Sequence, residues 1–598
     1  MSETGETEKP STSTSTSTST SSSTSTSTST STSTSTKDGF FGLPKEIGGI
    51  DHVIGIGIGA IYVTWLVRTA RSLGFARDEG FYFHAASDYA RWFEMLFRAP
   101  AEAMQRANID ASWGTNHEHP ALMKSLFALS FMYLHEKWKL FDDASTAFRF
   151  PGMVMGGIAI WVTYLFGARA FSRRAGVIGA VLLGLMPNVF YHAHLACFDV
   201  PIMAMWIACI YVYWRSLQEG GFWWALASGV MYGLTLETKH NAWILPAVFI
   251  PHAIMVALKS RAASPRGRVS FPSSLLAMAT IGPLVFYWLW PWLWNDTLPR
   301  LQEYVNFHMN HEYYNIEFLH RNYFSAPSPK AYAPVMIAAT VPTITLILYA
   351  TGTLERLRAL VRRFVPRPGE PASLSLADQP RDRALTDVLL FLAFCAPLAV
   401  FFLPKTPIFG GTKHWMPAYP FLAIFAGRGF DRVAAAMHRA MPQLETAAQR
   451  FGAELALGTL IVMAPFAVTQ HSHPFGLSAY VPIVGGTAGG ADLGLCRQFW
   501  GFTTQSVEPY FEKNAPPNAR VFIHDTAWDS WYRMTAEKRI RADLQAVGSP
   551  GEAQIGLLHH ELHMNEVDFQ EWAAFESTAP DWVLAHDGVP IVSVYRRK

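Results

Sequence analysis

The sequence predicts an all-α polytopic membrane protein of about eleven spans, followed by a small α/β domain outside the membrane. Three observations lead there. Half of the 598 residues are hydrophobic and only 16% are charged. Apolar stretches near the roughly 20 residues that a span requires recur as far as Gln470. Past that point no long apolar run returns, and short strand-like pieces take over. A net charge of +2 gives no reason to expect a nucleic-acid partner. Cys197, Cys209 and Cys395 lie in apolar runs and Cys496 stands alone, so the cysteines provide no disulfide framework.

Residues 1–46 form a tail in which positions 11 to 36 are almost pure Ser-Thr alternation. Such a segment has no apolar face to bury and is expected to be disordered and cytoplasmic. No positive n-region runs into an apolar core, so the first apolar run is read as a retained span. Residues 47–470 form the transmembrane domain. Its spans are expected at roughly 48–67, 149–168, 176–197, 200–215, 222–238, 243–258, 272–293, 332–351, 385–403, 415–430 and 453–469. An outer-face loop, 68–148, separates the first two. Within it the apolar segment 119–140 is expected to lie flat at the outer interface.

That placement follows from the basic residues. Arg169, Arg173 and Arg174 form one cluster, and Lys259, Arg261, Arg266 and Arg268 a second. Arg356, Arg358, Arg362, Arg363 and Arg367 form a third, and Arg428, Arg432 and Arg439 a fourth. All four fall on one side, the cytoplasmic side by the positive-inside rule, only if 119–140 does not cross. Arg68 and Arg71 break the pattern. Residues 471–598 are assigned to an extracytoplasmic α/β domain with strands near 520–524 and 581–586 and helices over 527–545 and 561–576.

This topology gathers ionisable residues on one outer surface. Asp78 and Glu79 follow the first span, with His117, Glu118, His119 and Lys124 around the flat segment and Arg149 opening the second span. His192, His194 and Asp199 cap the third and fourth, Lys239 and His240 the fifth and sixth, and Lys413 and His414 precede the tenth. Each ionisable group at membrane depth costs at least about 2.5 kcal/mol, so groups of both signs at one depth imply pairing or a charged ligand. Asp78 and Glu79 offer proton acceptance, and Lys124, Arg149 and Lys239 a seat for a phosphate, with Asp199 orienting the cations. Tyr82, His119, His240 and His414 are assigned to substrate binding.

The chemistry that suits this set is inverting glycosyl transfer from a polyprenyl-phosphate sugar to a hydroxyl on a lipid, glycan or protein. One carboxylate removes the acceptor's proton while cations stabilise the departing phosphate. Lys and Arg take the place of a divalent ion there, so no obligatory cofactor is expected and no residue is assigned to a metal; the histidines match no established ligand spacing. The competing reading is a non-catalytic polytopic lipid or solute transporter, which would show broken helices and symmetry between its halves. Neither is evident in the sequence.

Asp78-Glu79 with Tyr82, followed by His119-Pro120-Ala121-Leu122-Met123-Lys124, resembles the Asp-Glu and His-Pro-Pro-Leu-Gly-Lys signatures of the protein O-mannosyltransferases. The lipid A aminoarabinose transferases share that layout, and both families belong to the GT-C superfamily of integral membrane glycosyltransferases. Arg149-Phe150-Pro151, Phe171-Ser172-Arg173-Arg174-Ala175-Gly176, Asp199 with Pro201, Thr238-Lys239 and Tyr419-Pro420-Phe421-Leu422 extend the resemblance over roughly residues 48–430. It implies Asp78 as catalytic base with Glu79 beside it, a polyprenyl-phosphate sugar as donor, and Lys239, Arg149 and Asp199 around the phosphate. Ala121 and Met123 stand where the signature has Pro and Gly. The three-fold luminal repeat of the eukaryotic mannosyltransferases is missing, which points to a bacterial inner membrane.

Three further segments carry expectations. Gly55-Ile56-Gly57-Ile58-Gly59 lies inside an apolar span and reads as a helix-packing face, since a dinucleotide loop needs a preceding strand. The run Trp288, Trp290, Trp292 and Trp294 reads as an interface anchor. The loop 295–331, with His308, His311 and Tyr314, either closes over a substrate or only connects two spans; the C-terminal domain likewise either docks an acceptor or serves as a lid.

Overall fold

The computed structural model describes residues 47–263, 271–364, 385–408, 410–561 and 565–597. The Ser/Thr-rich tail and Arg266, Arg268 and Arg367 lie outside them. Each of the eleven apolar stretches is largely helical, but fewer than eleven are straight helices of spanning length. Gly49–Ser72, Ala144–Ala170, Asp199–Glu219, His240–Ser260 and Ala447–Ser472 are long and apolar enough to cross a membrane. Two stretches expected to be single spans are broken: Arg173–Gly184 turns by 70° into Pro187–Ala193, and Tyr332–Thr340 by 119° into the helix that starts at Thr343. The cause is local. Met186 and Val341 are extended, and each precedes a proline, whose ring excludes the helical conformation from the residue before it.

Phe222–Leu236, Ser273–Leu289 and Thr386–Phe402 are apolar but shorter. The tenth stretch enters Tyr419–Ala440, which carries Arg428, Asp431 and Arg432 from its middle onward. The chain is thus a multi-pass membrane protein, and among the described residues five helices meet the length and composition of a span, or up to seven if each bent pair counts as one. The expected eleven is not reached by that measure, because prolines and ion-paired arginines interrupt the apolar runs.

The first span packs backbone to backbone on Ala144–Ala170. A methyl group on Gly59 would lie 2.6 Å from the Gly157 carbonyl oxygen, and one on Gly55 2.5 Å from the Trp161 ring. The glycine run is therefore a helix-packing face.

Members of the first, third and fourth basic clusters lie at one end of the bundle and are ion-paired there. Arg173 binds Asp51 at 2.7 Å and Arg174 binds Asp431 at 2.8 Å and also Glu454. Arg356 pairs with Asp387 at 2.5 Å and Arg428 with Glu355 at 2.9 Å. Arg71, which broke the charge pattern, sits at the opposite end, where it pairs with Asp143 at 2.8 Å.

At that opposite end the stretch 68–148 is mostly helical. Arg77–Arg98 buries Tyr82, Phe83, Tyr89 and Trp92, and the apolar segment forms a helix from Leu122 that runs on as Phe131–Lys137. The C-terminal region carries a five-stranded sheet of order β4-β3-β5-β7-β6, built from β3 (Arg520–Ile523), β4 (Gln545–Val547), β5 (Ile555–His559), β6 (Trp582–His586) and β7 (Val589–Arg596). β3 is parallel to β4 and β5, whereas β7 is antiparallel to β5 and β6. β1 (Ile316–Phe318) and β2 (Arg321–Tyr323) form a separate hairpin. The helix expected over 527–545 stops at Ala536, because Lys538 turns left-handed at φ 53°, and residues 545–547 become β4. All four cysteines are free.

Candidate functional site

Helix Arg77–Arg98 opens with Arg77, Asp78 and Glu79 in its first turn, where carboxylates suit the unpaired N–H groups. Neighbouring helical residues point about 100° apart, and the two carboxylates diverge accordingly. Asp78 faces a cavity of about 530 Å³, lined also by Arg77, Tyr82, His119, Lys239, His240, Lys413 and Trp500. Glu79 turns the other way and is fully buried.

Glu79 and Arg149 form a closed unit. Arg149 Nε and Nη2 each donate to a different Glu79 oxygen at 2.7 Å, and its remaining N–H groups go to the carbonyls of Ala70, Leu73 and Gly74 at 2.7 to 3.1 Å. That uses all five guanidinium donors. Glu79 accepts in addition from the Ala76 and Ala196 backbone N–H groups at 3.0 and 2.9 Å. Neither side chain lines the cavity. Arg149, expected to seat a phosphate, and Glu79, expected to assist the base, are thus placed against each other outside the cavity, where Arg149 ties the start of the second span to the end of the first.

Lys124, also expected at the phosphate seat, is likewise placed away from the cavity. Its Nζ donates to the carbonyls of Asn116 and His119 at 2.5 and 2.9 Å and lies 5.3 Å from the Tyr89 ring centroid. It is fully buried outside the cavity, and burial pushes its pKa down to about 7 against the raising effect of Glu118 and Glu237. Its role is to fasten the 116–119 turn that carries His119.

Besides Arg77, two lysines from distant positions line the cavity with Asp78. Lys239 Nζ binds Asp199 Oδ1 at 2.6 Å, and His192 Nδ1 stands 3.7 Å from the other Asp199 oxygen. Asp199 thus sits behind Lys239 and orients it. Lys413 Nζ is 3.9 Å from Asp78 Oδ2 and 3.8 Å above the Trp500 ring. Burial lowers the Lys413 pKa, while Asp78 and Asp199 oppose that shift. The sequence placed Lys413 at this surface without a role, and its Lys-His pair at the head of an apolar stretch was the available signal. His414, assigned to substrate binding, does not line the cavity; its carbonyl accepts from Asn241 Nδ2 at 3.3 Å.

His119 packs edge-on against Tyr82 at 5.8 Å, and His240 stacks on His308 at 4.0 Å. Burial drives the His119 pKa well below its usual value and that of His308 to about 4, so both rings are neutral at physiological pH. The loop 295–331 forms one wall through His308, His311 and Tyr314. Of the Trp run, Trp290 and Trp292 are buried, and Trp292 stacks on His117 at 4.6 Å. Those two are internal supports for that wall and not interface anchors.

The C-terminal domain supplies the roof. Cys496, Phe499, Trp500 and Glu561 line the cavity, the Arg77 backbone N–H donates to the Trp500 carbonyl at 2.7 Å, and Arg77 Nη1 binds Asp525 at 3.1 Å. Burial raises the Glu561 pKa to about 7, with Asp525, Arg77 and the Trp500 N–H opposing. Trp500 has φ 81°, a left-handed conformation that costs a bulky residue on the order of 1–3 kcal/mol and holds its ring under Lys413. Trp500 and Glu561 carry no local sequence signal, since nothing near them in the chain marks a site. The assembled cavity can take a proton at Asp78 and hold an anion between Lys239 and Lys413.

Residues 123–288 match the family model described as dolichyl-phosphate-mannose-protein mannosyltransferase. The matched segment contains Arg149, Asp199 and Lys239. Among solved structures, ArnT from Cupriavidus metallidurans bound to undecaprenyl phosphate aligns at 15% identity and a TM-score of 0.44 over 91% of this chain and 97% of that one. The archaeal oligosaccharyltransferase AglB from Archaeoglobus fulgidus, in complex with an inhibitory peptide and a dolichol-phosphate, aligns at 12% identity and a TM-score of 0.45 over 84% of this chain and 65% of that one. No curated protein matches by sequence. The chain resembles the GT-C membrane glycosyltransferases, as its motifs indicate.

Proposed function

We propose that the protein is an inverting glycosyltransferase that moves a sugar from a polyprenyl-phosphate donor to a hydroxyl on an extracytoplasmic lipid, glycan or protein. The observation that carries this reading is the Asp78 carboxylate sharing a cavity with two ammonium groups, those of the buried Lys413 and of Lys239, whose side chain is 12% exposed. The acceptor hydroxyl attacks the anomeric carbon and its proton passes to Asp78. The bond from that carbon to the phosphate oxygen breaks, and its electron pair leaves with the lipid phosphate. The phosphate's charge rises by one in that step, and preorganised cations stabilise such developing charge. Asp199 positions Lys239, the Trp500 ring positions Lys413, and Tyr82, His119 and His240 contact the sugar.

With Lys239 and Lys413 in this role the reaction needs no obligatory metal. The protein works in a bacterial inner membrane, N-terminus cytoplasmic and C-terminal domain outside. The two broken helices are a feature that a transporter would share. The assay that separates the two readings follows lipid phosphate released from a labelled polyprenyl-phosphate sugar by purified protein. Release that requires an acceptor and disappears in Asp78→Asn supports transfer. Movement of intact donor across a vesicle membrane without release of lipid phosphate would replace it with transport.

A further inference from the structure

We propose that His471, His586 and Asp587 form a zinc site, separate from the cavity, that fastens the last membrane helix to the extracytoplasmic domain. His471 lies in the last turn of Ala447–Ser472. His586 ends β6, and Asp587 with Gly588 makes a two-residue turn into β7 in which both residues have positive φ, 49° and 78°. The tight turn fixes the direction of Asp587 relative to His586. None of the three residues lines the cavity that holds Asp78.

One imidazole nitrogen from each histidine and one carboxylate oxygen lie within 4.8 Å of one another. His471 Nε2 is 2.8 Å from Asp587 Oδ1, and His586 Nε2 is 3.8 Å from Asp587 Oδ2. Tetrahedral zinc with bonds of about 2.0–2.2 Å places its ligand atoms about 3.4 Å apart. Side-chain shifts on the order of 1 Å therefore suffice. Two imidazoles with one carboxylate are a zinc-type donor set, whereas magnesium and calcium take oxygen ligands.

The independent sign of a ligand is His586. It is only 8% exposed, and its Nε2 is buried with no hydrogen-bond partner. A buried polar atom left unpaired costs roughly 1–3 kcal/mol, and a metal ion would use its lone pair. The Phe475 ring walls the imidazole at 5.2 Å. Thr487 Oγ1 donates to Asp587 Oδ2 at 3.0 Å, the kind of support that orients a ligating carboxylate. His471 and Asp587 are exposed, which gives an ion a route in and leaves the fourth coordination position to water.

The test uses the full chain in detergent, free of any polyhistidine tag, stripped with EDTA and then titrated with zinc chloride or cobalt chloride. Elemental analysis after dialysis is expected to find one zinc per chain, and cobalt to give the intense visible absorption of a tetrahedral site. His471→Ala, at an exposed position where folding is not at stake, should lose the bound equivalent, as should His586→Ala; Thr487→Val should weaken binding by about 10- to 100-fold. Zinc should also raise the thermal midpoint of the wild type but not of His471→Ala. The proposal is overturned if no stoichiometric zinc survives dialysis, or if a full equivalent survives in the His471→Ala/His586→Ala double variant.

Discussion

Replacing each of the two adjacent carboxylates by its amide should separate chemistry from architecture. The Glu79 carboxylate receives two N–H groups from Arg149 at 2.7 Å and one each from Ala76 and Ala196 at 3.0 and 2.9 Å. In Glu79→Gln one oxygen becomes an NH2 group that points at donors, and the fully buried Arg149 loses its counter-charge. Breaking one side of a buried ion pair costs about 3–5 kcal/mol, a large part of any domain's net stability. Asp78 is different: its side chain is 28% exposed and its ion pair with Lys413 spans 3.9 Å, so Asp78→Asn should cost at most about 1 kcal/mol of stability. It should instead lower turnover by about 10²- to 10⁴-fold, the usual worth of a positioned general base. The two measurements are the half-life of folded protein at elevated temperature and the initial rate of lipid-phosphate release at permissive temperature. Glu79→Gln with wild-type heat resistance and a turnover defect equal to that of Asp78→Asn would refute the division of roles.

Removing one cation from the phosphate seat, in Lys239→Gln or Lys413→Gln, should lower kcat/KM by about 10- to 100-fold, from the roughly 1.5–3 kcal/mol of a charged hydrogen bond; Arg149→Gln should instead act on thermal stability. Glu561 titrates near 7 when folded against 4.5 for the free side chain, so its contribution to stability is full below pH 4.5 and is lost as pH rises to 7, about 3 kcal/mol in all. Glu561→Gln should therefore stabilise the protein relative to wild type at pH 8 and leave it unchanged at pH 4.5, as read from paired denaturation curves. A methyl group on Gly80 would lie 2.7 Å from Ser530 Oγ and 2.9 Å from Ala527 Cβ. Gly80→Val should accordingly loosen the C-terminal domain and speed its cleavage by protease, and Ser530→Gly should partly restore protection.

Hydropathy is local, so the membrane class, the helical stretches and the charged residues at their ends were all legible along the chain. Asp78, His119, Asp199 and Lys239 could be picked out because each sits at or beside the end of an apolar run, where an ionisable side chain stands out against its neighbours. The number of full spans was less legible. Met186-Pro187 and Val341-Pro342 bend runs that hydropathy counts as continuous. The arginines that end other runs are neutralised by partners far away in sequence, such as Asp51 for Arg173.

The sequence by itself determined which ionisable residues would share an end of the bundle. Only the tertiary structure decided which of them face open space. Glu79, Lys124 and Arg149 satisfy their hydrogen bonds within the protein, whereas Asp78, Lys239 and Lys413 line the cavity. It also decided that Trp500 and Glu561, from the far end of the chain, would roof that cavity. The physical reason is that burial and pairing of a charge depend on contacts between segments hundreds of residues apart, which no local pattern encodes.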